Sequence, residues 1–177
     1  MIKAIIKNGI VTDCIVVDPA NIPSFASSLP TIPDGFGIGD SYDGKAFTAQ
    51  PQTLASAQSA QISALTASCA AAITSGYTSS ALGSAHTYPS GATDQINMIG
   101  SVTASLLPGL ASGWTTPFWC ADSTGAWSFA PHTAAQIQQA GDDGKAWVVT
   151  CQTKLQTLSA SVSAAKTLAA VQAIVWA

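Results

Sequence analysis

The chain has 177 residues, of which 47% are hydrophobic and 8% are charged, and its formal net charge is -3. This apolar content suffices for a hydrophobic core and excludes extended disorder, which goes with few apolar residues and high charge. The six cationic residues are scattered lysines, so they form no basic stripe that could neutralise a nucleic acid backbone.

The sequence predicts no membrane span and no signal peptide. No run of about 18 apolar residues is present. The first apolar segment is interrupted by Asn8, Gly9 and Asp13, and no small-residue cleavage site follows it. We therefore expect a protein that is made and kept in a cytoplasm.

Residues 1–49 predict a small antiparallel β-module. Strands over residues 2–7 and 10–17 flank Asn8 and Gly9, the dipeptide that best tolerates the positive φ angles of a two-residue hairpin. A second hairpin is predicted about Asp43 and Gly44. The loop between the two hairpins contains four prolines, Pro19, Pro23, Pro30 and Pro33.

Residues 53–177 predict a mainly helical domain with an inserted β-hairpin near residues 117–130, which makes the whole chain α+β. The helices are predicted over residues 54–76, 94–106, 133–162 and 167–176. We expect Thr93 or Asp94 to cap the second helix. Its apolar stripe consists of Ile96, Ile99, Val102 and Leu106.

Two glycines interrupt the third helical pattern. Gly141 and Gly144 each lower helix propensity by about 1 kcal/mol relative to alanine. The alternative is that these two glycines do not merely weaken the helix but permit the close approach of another helix.

The predicted helices present an unusually neutral surface. The chain contains no Glu and no Arg, so Ser, Thr and Gln occupy most of their polar faces. Neutral surfaces are easier to desolvate than charged ones, which favours contact with other proteins. The alternative interpretation is a compositional habit of the genome without functional meaning.

Candidate catalytic and metal-binding residues are few. Ser41 lies in a Gly-Asp-Ser sequence found in some serine esterases, but His86 and His132 lack the aspartate three residues earlier that such enzymes use. The alternative is that Asp40 and Ser41 form a turn. Asp142 and Asp143 would project about 100° apart on a helix, and we expect them to be solvated.

The cysteines do not predict a zinc site. Cys14, Cys69, Cys120 and Cys151 form no close C-x-x-C pair, and we expect reduced, buried thiols. A disulfide is expected only if the protein meets an oxidising environment. The chain is therefore predicted to be non-enzymatic, without a metal or cofactor.

The five tryptophans are the candidate interface residues. Aromatic residues at strand and helix spacing usually belong to a core, but they are enriched at interfaces when they are partly exposed. Three surround the predicted hairpin, one lies in the third helix and one lies at the end: Trp114, Trp119, Trp127, Trp147 and Trp176.

Several short segments resemble an uncharacterised domain family of bacteriophage tail-fibre proteins and proteins encoded beside them. They include residues 72–77, 88–90 with 93–98, 118–122 and 132–136, and the ending at residues 165–167, Val171, Ile174 and Trp176. Residues 8–12 and 37–44 are similar to N-terminal modules of phage tail proteins. Many members carry Glu and Arg on their helices, whereas this chain does not.

The resemblance implies a structural or adaptor subunit of the tail-fibre or baseplate region, located in the virion and made in the host cytoplasm. Tail-fibre or baseplate proteins and further copies of the chain are the expected partners. The alternative is a tail-fibre assembly chaperone that is absent from the mature particle. The family offers no active site, so no residue inherits a catalytic role.

Overall fold

Two antiparallel four-stranded sheets and four helices make up the computed structural model, which describes residues 1–177 and confirms the α+β class. Contacts within the chain divide it into two compact units, Met1–Thr53 and Leu54–Ala177.

The first unit is a meander of four strands in the order β1-β2-β3-β4. The strands are β1 (Ile2–Lys7), β2 (Ile10–Val16), β3 (Ser41–Tyr42) and β4 (Phe47–Thr48). Asn8 and Gly9 connect the first two with φ angles of 54° and 76°, which confirms the predicted hairpin. The core of this unit is formed by Ala4, Val11 and Ile32.

The second unit adds a sheet of order β5-β6-β7-β8 and four helices. Its elements are α1 (Leu54–Thr74), β5 (Tyr77–Ser79), β6 (His86–Tyr88), α2 (Ala92–Ser105), β7 (Thr115–Ala121), β8 (Trp127–Thr133), α3 (Ala134–Ala164) and α4 (Leu168–Gln172). The predicted hairpin near residues 117–130 is confirmed as β7 and β8. The strands β5 and β6 were not predicted, because three residues are too few to show alternation.

Two apolar clusters form the core of the second unit. The first lies between the sheet, α2 and α3 and includes Tyr88, Met98 and Ile137. The second joins α1, α3 and α4 through Leu65, Val162 and Val171. The 31-residue helix α3 contributes to both clusters.

The helix ends differ from the predictions in two places. The predicted cap of α2 was wrong, because the helix begins at Ala92 and Gly91 is its N-cap. Asp94 instead accepts a hydrogen bond from the Gly91 N–H at 3.0 Å, so it stabilises the first turn from within the helix. The last helix is shorter than predicted and ends at Gln172.

The buried face of α2 also differs from the prediction. Ile96 is 68% exposed and Ile99 is 66% exposed, whereas Met98 and Ser105 are buried. Helix α2 turns Met98 towards the core because it packs on α3 at Gly141. A Cβ atom on Gly141 would lie 2.7 Å from Cγ2 of Val102. The close helix approach given as the alternative for the two glycines is thereby found at Gly141, whereas Gly144 lies against Tyr77 of β5 and not against a helix.

None of the helices combines the length and the apolar character that crossing a membrane requires.

Candidate protein-binding surface

The hairpin of β7 and β8 separates its residues between two faces. Phe118, Cys120 and His132 are buried beneath it. Successive side chains of a strand point to opposite sides, so Trp119, Trp127 and Phe129 lie on the outer face. An outer face of this kind is normally polar, whereas this one is aromatic.

The outer aromatic side chains contact one another. Trp119 is paired directly with Phe129 across the hairpin, and their ring centroids lie 4.9 Å apart. Trp127 stacks on Trp119 with a centroid separation of 6.0 Å and an interplanar angle of 20°. The exposed fractions are 40% for Trp119, 44% for Trp127 and 69% for Phe129.

A groove of about 560 Å³ separates this face from α2. Ile96 stands on the helix side, and Gly100 and Ala104 provide a floor of small residues. Asp94 is the only charged residue in its lining. We call Ile96, Trp119, Trp127 and Phe129, together with this groove, the aromatic surface.

The other three tryptophans pack within the second unit. Trp114 and Trp147 lie against its first cluster, and the indole N–H of Trp147 donates to the carbonyl of Ala72 at 3.1 Å. Trp176 packs on the second cluster, with the Lys154 ammonium 4.8 Å from its ring centroid. Of the five candidates, the structure therefore leaves only Trp119 and Trp127 broadly exposed.

The surfaces of α1 and α3 carry hydroxyl groups that already have hydrogen-bond acceptors. Seven Ser and Thr side chains, six of them exposed, donate to the carbonyl four residues earlier, at 2.8–3.0 Å. Removing these hydroxyl groups from water costs less free energy when a partner covers them, because each keeps its hydrogen bond within the helix. α1 contains no charged residue along its 21 residues.

The two histidines both lie in strands. His132 is fully buried in β8, and its Nδ1 donates to the carbonyl of Ala130 at 2.9 Å. Its Nε2 therefore accepts the hydroxyl hydrogen of Tyr88 at 2.7 Å. His86, in β6, places Nδ1 2.9 Å from the carbonyl of Ser84.

Cys120 lies beside this pair but is not activated by it. Burial raises the pKa of the Cys120 thiol and lowers the pKa of His132, which favours the neutral form of both groups. A nucleophilic cysteine needs an accessible thiolate, and Cys120 is only 1% exposed. Tyr88, Cys120 and His132 form a buried polar contact within the core.

Ser41, the candidate esterase nucleophile, lies in the first unit, and both histidines lie in the second. Its hydroxyl donates to the carbonyl of Thr48 at 3.4 Å. The neighbouring Asp40 accepts the backbone N–H groups of Gln50 and Gly37, which lowers the pKa of its carboxyl group. Asp40 thus organises the loop around β3.

The remaining candidate ligands are dispersed. Asp142 is exposed, but Asp143 was wrongly expected to be solvated, because it accepts the Ser79 hydroxyl at 2.6 Å. All four cysteines are free thiols, with Cys14 half-buried and the others buried. No three His, Cys or Asp side chains come close enough to share a metal ion.

Sequence reasoning missed two members of the aromatic surface. Phe129 was detectable, because residues two apart on a strand share a face and Trp127 was already a candidate. Ile96 was assigned to the core because the apolar pattern of α2 permits more than one buried stripe. The signal for Phe129 was thus in the sequence, whereas the exposure of Ile96 depends on packing.

No curated protein and no solved structure matches the chain. One family model does match, the domain of unknown function DUF4376, over residues 56–175. This segment contains the whole aromatic surface and nearly all of the second unit. Because the match extends over more than half of the sequence, the chain belongs to the DUF4376 family.

Proposed function

We propose that the protein is a non-enzymatic binding subunit of the fibre or baseplate region of a bacteriophage tail, and that the aromatic surface is its main contact. The observation that carries the proposal is the exposure of Trp119, Trp127 and Phe129 on the outer face of one hairpin. Contiguous exposed apolar groups of this kind are typical of interaction sites.

The energetic basis is the burial of large rings. Covering an exposed aromatic side chain stabilises a complex by about 1.5–3 kcal/mol, before the cost of association is subtracted. Trp119 and Trp127 already contact each other, so little side-chain entropy remains to be lost on binding. The hairpin therefore supplies a pre-organised centre for an interface.

The lining of the groove indicates the chemistry of the partner. Asp94 is its single charge, and the floor at Gly100 and Ala104 leaves room for an inserted side chain. An uncharged apolar segment of a tail protein fits this surface better than a charged one. Association should consequently depend weakly on salt concentration.

The phage setting is supported by the sequence resemblance, and it implies a place in the virion after synthesis in the host cytoplasm. The uncharged surface of α1 supports the same proposal, since it suits a protein covered by neighbours in an assembly. Copies of the same chain offer a matching uncharged α1 surface and are included among the partners.

Paired substitutions test the aromatic surface. Phe129→Ser should weaken binding to fibre or baseplate proteins of the same phage about tenfold or more. Phe25→Ser is the matched control, because Phe25 is 71% exposed but lies in the first unit. Mass photometry at low and high salt measures the complexes formed.

The outcomes are distinct. A strictly monomeric protein that binds no tail component at either salt concentration would overturn the proposal. A fixed copy number in purified virions would support a tail subunit. Binding to nascent fibre protein without incorporation into particles would identify an assembly chaperone instead.

A further inference from the structure

One edge of β7 is left open along the groove of the aromatic surface. β6 pairs with β7 through a single residue pair, Thr87 and Ala121, at the last residue of β7. The chain then leaves the sheet at Pro89, which has no N–H to donate, and continues as α2. The sheet therefore has an open strand position beside Pro117 and Trp119, where the groove of about 560 Å³ lies.

The pairing of β7 with β8 fixes which main-chain groups point towards this groove. Pro117 lies directly opposite Pro131, and a hydrogen-bonded antiparallel pair exchanges two N–H groups, which prolines lack. The prolines therefore form a non-hydrogen-bonded pair, and Trp119 with Phe129 is the next such pair along the ladder. The main-chain groups of Pro117 and Trp119 consequently point away from β8.

These main-chain groups have no partner within the chain. They are the carbonyl oxygens of Pro117 and Trp119 and the N–H of Trp119, and the pairing with β6 does not extend to them. Both residues line the groove, and Trp119 is 40% exposed. An unpaired strand edge is a template for a further strand, because its donors and acceptors have the spacing of an extended backbone.

The opposite wall of the groove, formed by α2, also suits a peptide backbone. Asn97 and Ser101 lie one helical turn apart in this wall, and neither side chain makes a hydrogen bond within the chain. The amide of Asn97 can donate to a carbonyl and accept an N–H, the two groups that a peptide unit carries. A helical partner could not use these groups, since its own N–H and carbonyl groups are already paired.

We propose that the groove binds an extended, uncharged segment of a partner protein, which adds to the sheet as a strand beside β7. The main chain of the segment pairs with Pro117 and Trp119, and Asn97 bonds to it from the opposite side. Apolar side chains of the segment contact the rings of Trp119 and Phe129. This inference rests on the proposed function, because it assigns the conformation of the partner at the aromatic surface.

Amide exchange in the free, full-length protein tests the open edge directly. We expect the Trp119 amide to exchange about tenfold faster or more than the amides of Phe118 and Cys120, whose N–H groups face β8. NMR of the isotopically labelled protein measures all three rates. Slow exchange at Trp119 would mean that its N–H is already bonded, and it would overturn the inference.

Peptides test the pairing itself. The probes are overlapping synthetic peptides of about ten residues, the upper length of most strands, which cover the fibre and baseplate proteins of the same phage. Single N-methyl groups are then introduced along each peptide that binds. We expect methylation of alternate residues to weaken binding about fivefold or more, because alternate N–H groups of an added strand face β7. The Trp119 amide should become protected in the complex.

Substitutions on α2 separate main-chain pairing from contact with the rings. Asn97→Ala should weaken binding of the peptide and of its parent protein about fivefold, because it removes a donor and an acceptor. Thr103→Ala is the matched control, since Thr103 is exposed on the same helix and does not line the groove. Isothermal titration calorimetry measures the affinities.

The outcomes distinguish this inference from the proposed function. Strand addition is overturned if a tail protein binds but none of its peptides does, if N-methylation shows no alternation, or if Asn97→Ala leaves the affinity unchanged. Weakening by Phe129→Ser in any of these cases would keep the aromatic surface as the contact. Binding of no tail protein at all would overturn both.

Discussion

The hydroxyl of Tyr88 donates a hydrogen bond to Nε2 of His132 across 2.7 Å, and both side chains are fully buried. The bond links β6 to β8, the two strands that flank β7. Because Nδ1 of His132 donates to the Ala130 carbonyl, the imidazole is held neutral in a single tautomer.

The neutral state of His132 predicts a pH dependence of stability. Burial lowers its folded-state pKa below 6.5, so the unfolded chain takes up the proton first as the pH falls. The free energy of unfolding should therefore decrease as the pH drops from 6.5 towards 4.5. Urea titrations over this range measure the effect.

Substitution of His132 tests whether this residue causes the change of the free energy of unfolding with pH, the slope of a plot against pH. His132→Phe should flatten it, whereas His86→Asn should retain it. The aspartates with lowered pKa values, including Asp40 and Asp122, lose their contributions only below about 3.8. A slope unchanged in His132→Phe would contradict the assignment.

The two buried tyrosines predict opposite responses to the same substitution. Tyr88→Phe leaves Nε2 of His132 without its donor and should lower the free energy of unfolding by about 1–3 kcal/mol. Tyr77→Phe removes an unsatisfied hydroxyl and should leave stability unchanged or raised. Chemical denaturation of the two variants gives the comparison, and equal losses would contradict it.

Three glycine-to-alanine variants distinguish packing from helix propensity. At Gly141 and Gly144 the new Cβ would lie 2.7 Å from Val102 and Tyr77, so each variant should lose about 1–3 kcal/mol. At Gly100, also within a helix, no atom lies within 4 Å, and stability should rise by about 1 kcal/mol. Melting temperatures measured under one condition rank the three, and a stabilising alanine at position 144 would refute the packing argument.

Limited proteolysis tests whether residues 1–49 and 53–177 are separable modules. We expect the first cuts near residues 49–53 or in the proline-rich loop over residues 19–34, because most of the backbone in both segments lies outside helices and strands. Mass spectrometry of the early fragments locates them. First cleavage within residues 134–160 would count against the division.

Local signals predicted the elements that depend on local chemistry. Asn8 and Gly9 specify a turn because they tolerate positive φ angles. Thr133 specifies the start of α3 because its hydroxyl oxygen accepts the backbone N–H of Gln136. The rotation of α2 was not predictable in this way. Its sequence offers two apolar stripes, and contact with Gly141 selects Met98 over Ile96.

The same reasoning limits prediction of the candidate site. Trp119 and Trp127 were identifiable as residues, but their exposure depends on which hairpin face meets α2 and α3. The groove lined by Tyr77, Pro89, Met98 and Val148 was not predictable at all, since residues from four separate segments line it. Sequence patterns carry no information on which distant segments meet.

The participation of α3 in both clusters of the second unit has a consequence for hydrogen exchange. Ile137 belongs to one cluster and Val162 to the other, and one continuous helix joins them. Opening either cluster exposes part of the helix that supports its neighbour, so the two should open together. Slowly exchanging amides near Ile137 and near Val162 should then report the same opening free energy, and denaturant should lower both in parallel.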